Sequence, residues 1–181
     1  MPNCSQNLIF NLKRIYNPLY IILKFTGINN IRRDFYMYWI GEIIYKKFSE
    51  DNVTIKIPKK LLLDLMKQVK RHNDILHLES ELIDNFAIHE NIHNTEIILT
   101  KLFVLTADPY EREEIILFLT IAEFLVLRDI VFCNNSIIHL RTKINFSLLK
   151  AYKELFQQIE NLYQLLNGDE VNAYWGYIKS N

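Results

Sequence analysis

Glycine and proline are scarce, four of each in 181 residues. Tight turns depend on both, so a fold built from many short strands and hairpins is disfavoured and long elements are expected. Cysteine is nearly missing too. Cys4 and Cys133 stand far apart, which leaves no CxxC metal or redox pair and no dense disulfide framework; a reducing, intracellular compartment, cytoplasmic or nuclear, is the expectation. The first residues hold no unbroken apolar core with a small-residue cleavage site, so no secretory signal is read. Long hydrophobic runs are lacking as well. The most apolar stretch, Ile115 to Cys133, is broken by Glu123, Arg128 and Asp129, each costly at the centre of a bilayer, and reads as a buried helix rather than a membrane span. Too little glycine remains for a loop that cradles phosphate, and no GxSxG, P-loop, GxGxxG or Cys-His arrangement is present. No cofactor is expected.

What the chain does have is apolar residues, 50% of the total, at helical spacing. Leu8, Ile9, Leu12, Ile15 and Tyr16 mark a first helix, and Pro18 opens a second that ends at Gly27. Phe35, Tyr38, Trp39, Ile43 and Ile44 share a face of a third, over residues 30–48. A basic helix begins at Pro58, with Leu61, Leu62, Leu65, Met66 and Val69 inward, and breaks near Asn73 or runs past His72. Further helices are expected over 76–88, over 96–105 with Asn94 or Thr95 as N-cap, and from Asp108-Pro109 through Phe132. The cleanest amphipathic stripe runs from Leu148 to Leu166, closed by Asn167-Gly168, and a short aromatic piece follows over 171–177. Only residues 51–58 alternate as a strand does. With no partner in view they are expected as an extended linker, at 50–58, between a basic N-terminal part and an acidic C-terminal part. The expected fold is all-α: a single domain over 1–181 of about seven to nine helices, as stacked HEAT-like hairpins or a compact bundle.

Net charge is zero, but it is unevenly laid out. Residues 1–71 carry 13 Lys/Arg against 5 Asp/Glu, net +8, and the remainder is net −8. Two packed halves of opposite sign can complement each other, or the basic half, residues 13–71, can meet nucleic acid through its Lys and Arg interleaved with Tyr16, Tyr20, Phe35, Tyr36, Tyr38, Trp39 and Tyr45. Most of those aromatics fall at core spacing, which favours burial.

His89-Glu90-Asn91-Ile92-His93 matches the HExxH pattern of zinc metallopeptidases. That chemistry needs both His one turn apart on a continuous helix, the Glu as general base on metal-bound water, and a third ligand, for which Glu111, Glu113 or Glu114 stands at a suitable distance in sequence. Asn94-Thr95 reads as a helix start, which places His89 and His93 across a helix junction. No sheet is foreseen to hold a substrate strand. Two polar histidines at a solvent-facing junction is the preferred reading, and no metal site is expected at His89, Glu90 and His93.

The segment Lys101-Leu102-Phe103-Val104-Leu105-Thr106-Ala107-Asp108-Pro109-Tyr110-Glu111-Arg112-Glu113, followed by Glu123-Phe124-Leu125-Val126-Leu127-Arg128 and Asn134-Asn135-Ser136-Ile137-Ile138, resembles the central part of the B-prime family of protein phosphatase 2A regulatory subunits. The resemblance spans about residues 101–140. It implies an all-helical pseudo-repeat scaffold, no catalysis of its own, and a surface that recruits short acidic peptides or holds a phosphatase core. Arg112 and Arg128 are the residues it carries over, Arg128 as a contact to an acidic peptide. The His-Arg and Tyr of such a groove are missing, since Phe118, Leu119, Thr120 and Ile121 stand near that place. Helix-end ion pairing, for instance of Arg112 with Asp108, is the simpler use of both arginines. The function these features favour is a non-enzymatic helical interaction or regulatory subunit with a protein partner.

Overall fold

Where apolar residues recur every three to four positions the chain is helical, and one pair of segments departs from that rule. A computed structural model describes the backbone of residues 30–107, 113–133 and 146–181, and the side chains of 38–107, 113–133 and 148–181. The elements run α1 (Asn30–Glu50), β1 (Asn52–Pro58), α2 (Lys59–Leu82), α3 (Phe86–Thr106), β2 (Glu114–Thr120), α4 (Ile121–Cys133), α5 (Phe146–Gln164) and α6 (Gly168–Ser180). The chain divides between Trp39 and Ile40 into a smaller and a larger unit, and the larger, residues 40–181, contains the sheet and the core. The described residues hold six helices and a two-stranded sheet, a mostly helical fold. The helices expected between Ser5 and Gly27 lie outside them.

The extended linker expected at 50–58 is instead a strand. β1 pairs antiparallel with β2 in the register Thr54 to Phe118 and Lys56 to Ile116. The ladder is prolonged at its ends by the Ile121 amide donating to the Asp51 carbonyl at 2.9 Å and the Lys59 amide to the Glu113 carbonyl at 2.8 Å. The missing partner is concealed in the run expected as a helix from 108 through 132. Glu114-Ile-Ile-Leu-Phe-Leu-Thr120 is apolar at nearly every position, so it suits a buried helix and a strand equally. Pairing with β1 decides the matter, and burial then alternates: Ile115, Leu117 and Leu119 lie within, Ile116 and Phe118 without.

Helix begins only at Ile121, and a reciprocal cap shows why. The Glu123 amide donates to Thr120 Oγ1 (3.2 Å) while Glu123 Oε2 accepts from the Thr120 amide (3.0 Å). This capping box satisfies two donors that a helix start leaves open. Lys101 Nζ, at 2.5 Å, neutralises the same carboxylate, which is otherwise buried.

Helix boundaries differ from expectation for a related reason. α2 does not break at Asn73, which is buried within it. The break comes at residues 83–85, where Asn85 Oδ1 caps α3 by accepting from the Ala87 amide at 2.7 Å. Asn94 and Thr95 are not caps. They sit mid-helix and bond back one turn, Asn94 Nδ2 to Glu90 Oε1 at 3.1 Å and Thr95 Oγ1 to the Asn91 carbonyl at 2.6 Å. Likewise Asn167 caps the start of α6, accepting from the Asp169 amide, and the aromatic piece expected over 171–177 extends to Gly168–Ser180.

The core lies against the inner face of the sheet. Ile55, Ile57, Ile115, Leu117 and Leu119 meet Leu61, Leu65 and Val69 of α2, Ile98 and Leu102 of α3, Phe124 and Leu127 of α4, and Tyr152, Leu155 and Ile159 of α5. Burying each such side chain contributes about 1.5–3 kcal/mol before ordering costs. α1 presents Gly41, Ile44 and Phe48 inward. Gly41 lets α6 approach so closely that a Cβ there would stand 2.7 Å from Tyr177 Cβ. Of the face expected on this helix, Ile44 is buried but Tyr38, Trp39 and Ile43 are exposed. No helix among the described residues is long and apolar enough to cross a membrane.

Candidate functional site

His89 and His93 lie one turn apart on the unbroken α3, so they do not straddle a helix junction as the Asn94-Thr95 pair suggests. The cap is nine residues earlier than that pair, at Asn85. Glu90 faces α1: its Oε2 accepts from Tyr45 Oη at 3.0 Å and its Oε1 from Asn94 at 3.1 Å. Burial, and then the neighbouring Glu90 charge, push the Tyr45 phenol up to about 12, so it stays protonated and donating. His89 is exposed and meets Asp84 at 3.0 Å, and His93 is exposed as well. Among the described residues no three His, Cys, Asp or Glu side chains are placed to hold a metal ion. The motif's central acid thus holds two helices together, within a cluster where Tyr45 stacks on Tyr174 (6.1 Å) and packs against Tyr177 and Phe86.

Arg112 lies outside the described residues. Arg128 does not stand free. Its guanidinium covers the Tyr163 ring at 3.7 Å and approaches Phe132 at 5.0 Å, with Asp129 at 3.4 Å and Glu160 at 3.8 Å. The contacts to Tyr163 and Glu160 join α4 to α5, and an acidic peptide would have to compete with Asp129 and Glu160 for the charge. Nearby, burial lowers the His72 pKa below its ordinary 6.5 and raises the Asp129 carboxyl, although the Arg128 charge opposes the second shift.

Part of the basic half is visible. Lys47 is drawn inward to the buried Glu170 at 2.9 Å, joining α1 to α6. Lys60, Lys67, Lys70 and Arg71 are exposed along the first half of α2, with Lys70 facing Asp74 at 3.3 Å. The aromatics meant to interleave with them divide: Tyr45 is committed to the cluster above, Tyr38 and Trp39 are exposed, and the side chains of Tyr16, Tyr20, Phe35 and Tyr36 lie outside the described residues.

Two surfaces go beyond what spacing and composition point to. The first is on the second half of α2. This helix carries two apolar stripes: Leu61, Leu62, Leu65, Val69 and Leu76 are buried, whereas Ile75, Leu78 and Leu82 are 44%, 62% and 85% exposed. Spacings of three and four set Ile75, Leu78 and Leu82 in a row, with exposed Asp74 and Glu81 on one side and Glu79 on the other. Spacing alone assigns Leu78 and Leu82 to the core. The available signal is that α2 has more apolar positions than one buried face can use. The second surface is the outer side of the sheet, where Ile116 and Phe118 are 44% and 61% exposed.

The two edges of that sheet differ. Residues 53, 55 and 57 turn their amides and carbonyls toward 119, 117 and 115, so those of Lys56 point away from β2. There they are met by one side chain of α5: the Lys56 amide donates to Gln158 Oε1 at 2.6 Å, and Gln158 Nε2 donates to the Lys56 carbonyl at 3.0 Å. On the far side, the outward amides and carbonyls of Ile116 and Phe118 meet no partner among the described residues. No family model matches the sequence, and no curated protein or solved structure is significantly similar to it.

Proposed function

We propose that this chain is a non-enzymatic protein-interaction domain that docks a basic amphipathic segment of a partner protein along the second half of α2. The observation that carries the proposal is the exposed row Ile75, Leu78 and Leu82 between Asp74, Glu79 and Glu81. Exposed apolar side chains in a row, rimmed by charge of one sign, suit an apolar strip rimmed by the opposite charge. This differs from what the phosphatase-subunit resemblance implies, which carries over Arg112 and Arg128 and makes Arg128 a contact to an acidic peptide. Arg128 as the docking point is the weaker proposal, because its charge already faces Asp129 and Glu160.

The test uses two labelled model peptides of Leu at helical spacing, one with Lys and one with Glu at the remaining positions. The Lys peptide binds the wild-type chain, and the Leu78→Glu/Leu82→Glu double variant, whose changes lie outside the core, weakens it by at least about tenfold. Equal binding of the Glu peptide, or an unaltered affinity in the double variant, overturns the proposal. A second reading, nucleic-acid binding, is favoured by the exposed Lys60, Lys67, Lys70 and Arg71 on the first half of the same helix. It requires affinity for DNA or RNA that falls steeply with salt and is reduced by Lys67→Glu/Arg71→Glu.

A further inference from the structure

An edge strand with unpaired amides and carbonyls is a template for another strand, and proteins commonly blunt such edges with charge, proline, a bulge or a covering element. β1 follows that practice, since Gln158 occupies the outward amide and carbonyl of Lys56. β2 does not. Its outward main-chain groups at Ile116 and Phe118 are unpartnered among the described residues, and the side chains on its outer face are a β-branched residue and an aromatic, both exposed. Those residue types gain most from a neighbour across a strand pair.

We infer that β2 pairs with β2 of a second copy of this chain, edge to edge and antiparallel, to make one continuous four-stranded sheet in the order β1, β2, β2, β1. Three observations select a second copy over a foreign strand. First, β2 is nearly symmetric in character about Leu117: Ile115 and Leu119 turn inward on either side of it, and Ile116 and Phe118 outward. A two-fold axis at Leu117 therefore sets each Ile116 opposite the other copy's Phe118, and their outward N–H and C=O groups are exchanged as hydrogen bonds. Second, the same axis sets Glu114 opposite Thr120, so the acids at the start of β2 lie at opposite ends of the new pair and no like charges meet. Third, the β1 edge is met at Lys56 by Gln158, whereas no described residue meets the β2 edge. An isologous contact through a single edge closes at two copies. Two-stranded sheets are marginal alone, and a four-stranded one also covers Ile116 and Phe118.

The pairing is tested by sedimentation velocity and light scattering of the full chain up to about 100 μM, where a micromolar Kd fills the dimer. Wild type runs as a reversible dimer. Phe118→Lys places a charge where the other copy's Ile116 would lie and shifts the equilibrium toward monomer by at least about tenfold. Ile116→Pro removes only an outward-pointing amide, leaves the ladder to β1 intact, and gives the same shift. Should either variant fail to keep the wild-type circular dichroism and melting behaviour, amide exchange of wild type replaces it: exchange at Ile116 and Phe118 slows as protein concentration rises. A wild-type chain that is monomeric at the highest concentration, a dimer that persists in folded Phe118→Lys and Ile116→Pro, or concentration-independent exchange at both amides each overturns the inference. The Leu78→Glu/Leu82→Glu variant stays dimeric, so loss of the peptide-docking proposal leaves this result untouched and the reverse also holds.

Discussion

At Glu90, within the string HENIH, one carboxylate joins Tyr45 of α1 to Asn94 of α3. The pattern could not reveal this, because the deciding partner lies 45 residues earlier in the chain. Gly41 is as contact-bound in the opposite way, through an absent side chain. Gly41→Ala drives a methyl against Tyr177 Cβ, and although alanine suits a helix better than glycine, the overlap wins. We expect a net loss of about 1–3 kcal/mol, read as a lower urea midpoint. His72 ties stability to pH. Burial lowers its pKa, so the fold favours the neutral ring: that contribution is fully present above the ordinary 6.5 and is lost as pH falls through the lower folded value. Urea midpoints at about pH 7.5 and about pH 5.5 should therefore differ, with the acid sample weaker, and His72→Gln should narrow the gap. Asp129 works in the other sense. Its pKa is raised above 3.8, so its contribution is present in acid below that value and fades as pH rises through the folded one; Asp129→Asn removes it, and with it the carboxylate charge that opposes the lowering of the His72 pKa.

Among elements, helices with one apolar stripe are legible in the sequence and those with two, or none that is distinct, are not. The stripe of α5 can be read almost residue for residue: Tyr152, Leu155 and Ile159 are buried, and Lys150, Lys153 and Glu154 exposed. β2 is illegible because Ile115 through Leu119 is apolar throughout, and a uniform run has no period to measure. One local signal does mark the switch from strand to helix, Thr120-Ile-Ala-Glu123, a capping-box sequence inside a run that otherwise reads as continuous helix. Its strength can be measured. Thr120→Ala removes the acceptor for the Glu123 amide and costs about 1 kcal/mol. Glu123→Ala also releases the Lys101 ammonium and the Thr120 amide, and costs about 1–3 kcal/mol, with both values taken from chemical unfolding. A larger loss for Thr120→Ala than for Glu123→Ala would contradict the roles given to them. α2 misleads by having too many leucines: the same spacing that places Leu61, Leu65 and Val69 in the core makes Leu78 and Leu82 look as if they belong there.

For the molecule as a whole, the expected all-helical character holds broadly, with a small two-stranded sheet whose inner face joins the core. That sheet offers the β2 edge for the pairing inferred above. If β2 pairs with a second copy, Gln158 still guards the other margin at Lys56, between Thr54 and Pro58. Gln158→Ala exposes the amide and carbonyl of Lys56 and gives each copy two joining edges; light scattering should then show sizes beyond the dimer that grow with concentration, whereas Gln158→Asn, one methylene short of Lys56, gives an intermediate result. Unchanged mass in Gln158→Ala would mean that the Lys56 edge is protected by something besides the amide. The side-chain amide of residue 158 imitates a peptide group, accepting from and donating to Lys56 as a neighbouring strand would, and so withdraws that stretch of β1 from further pairing.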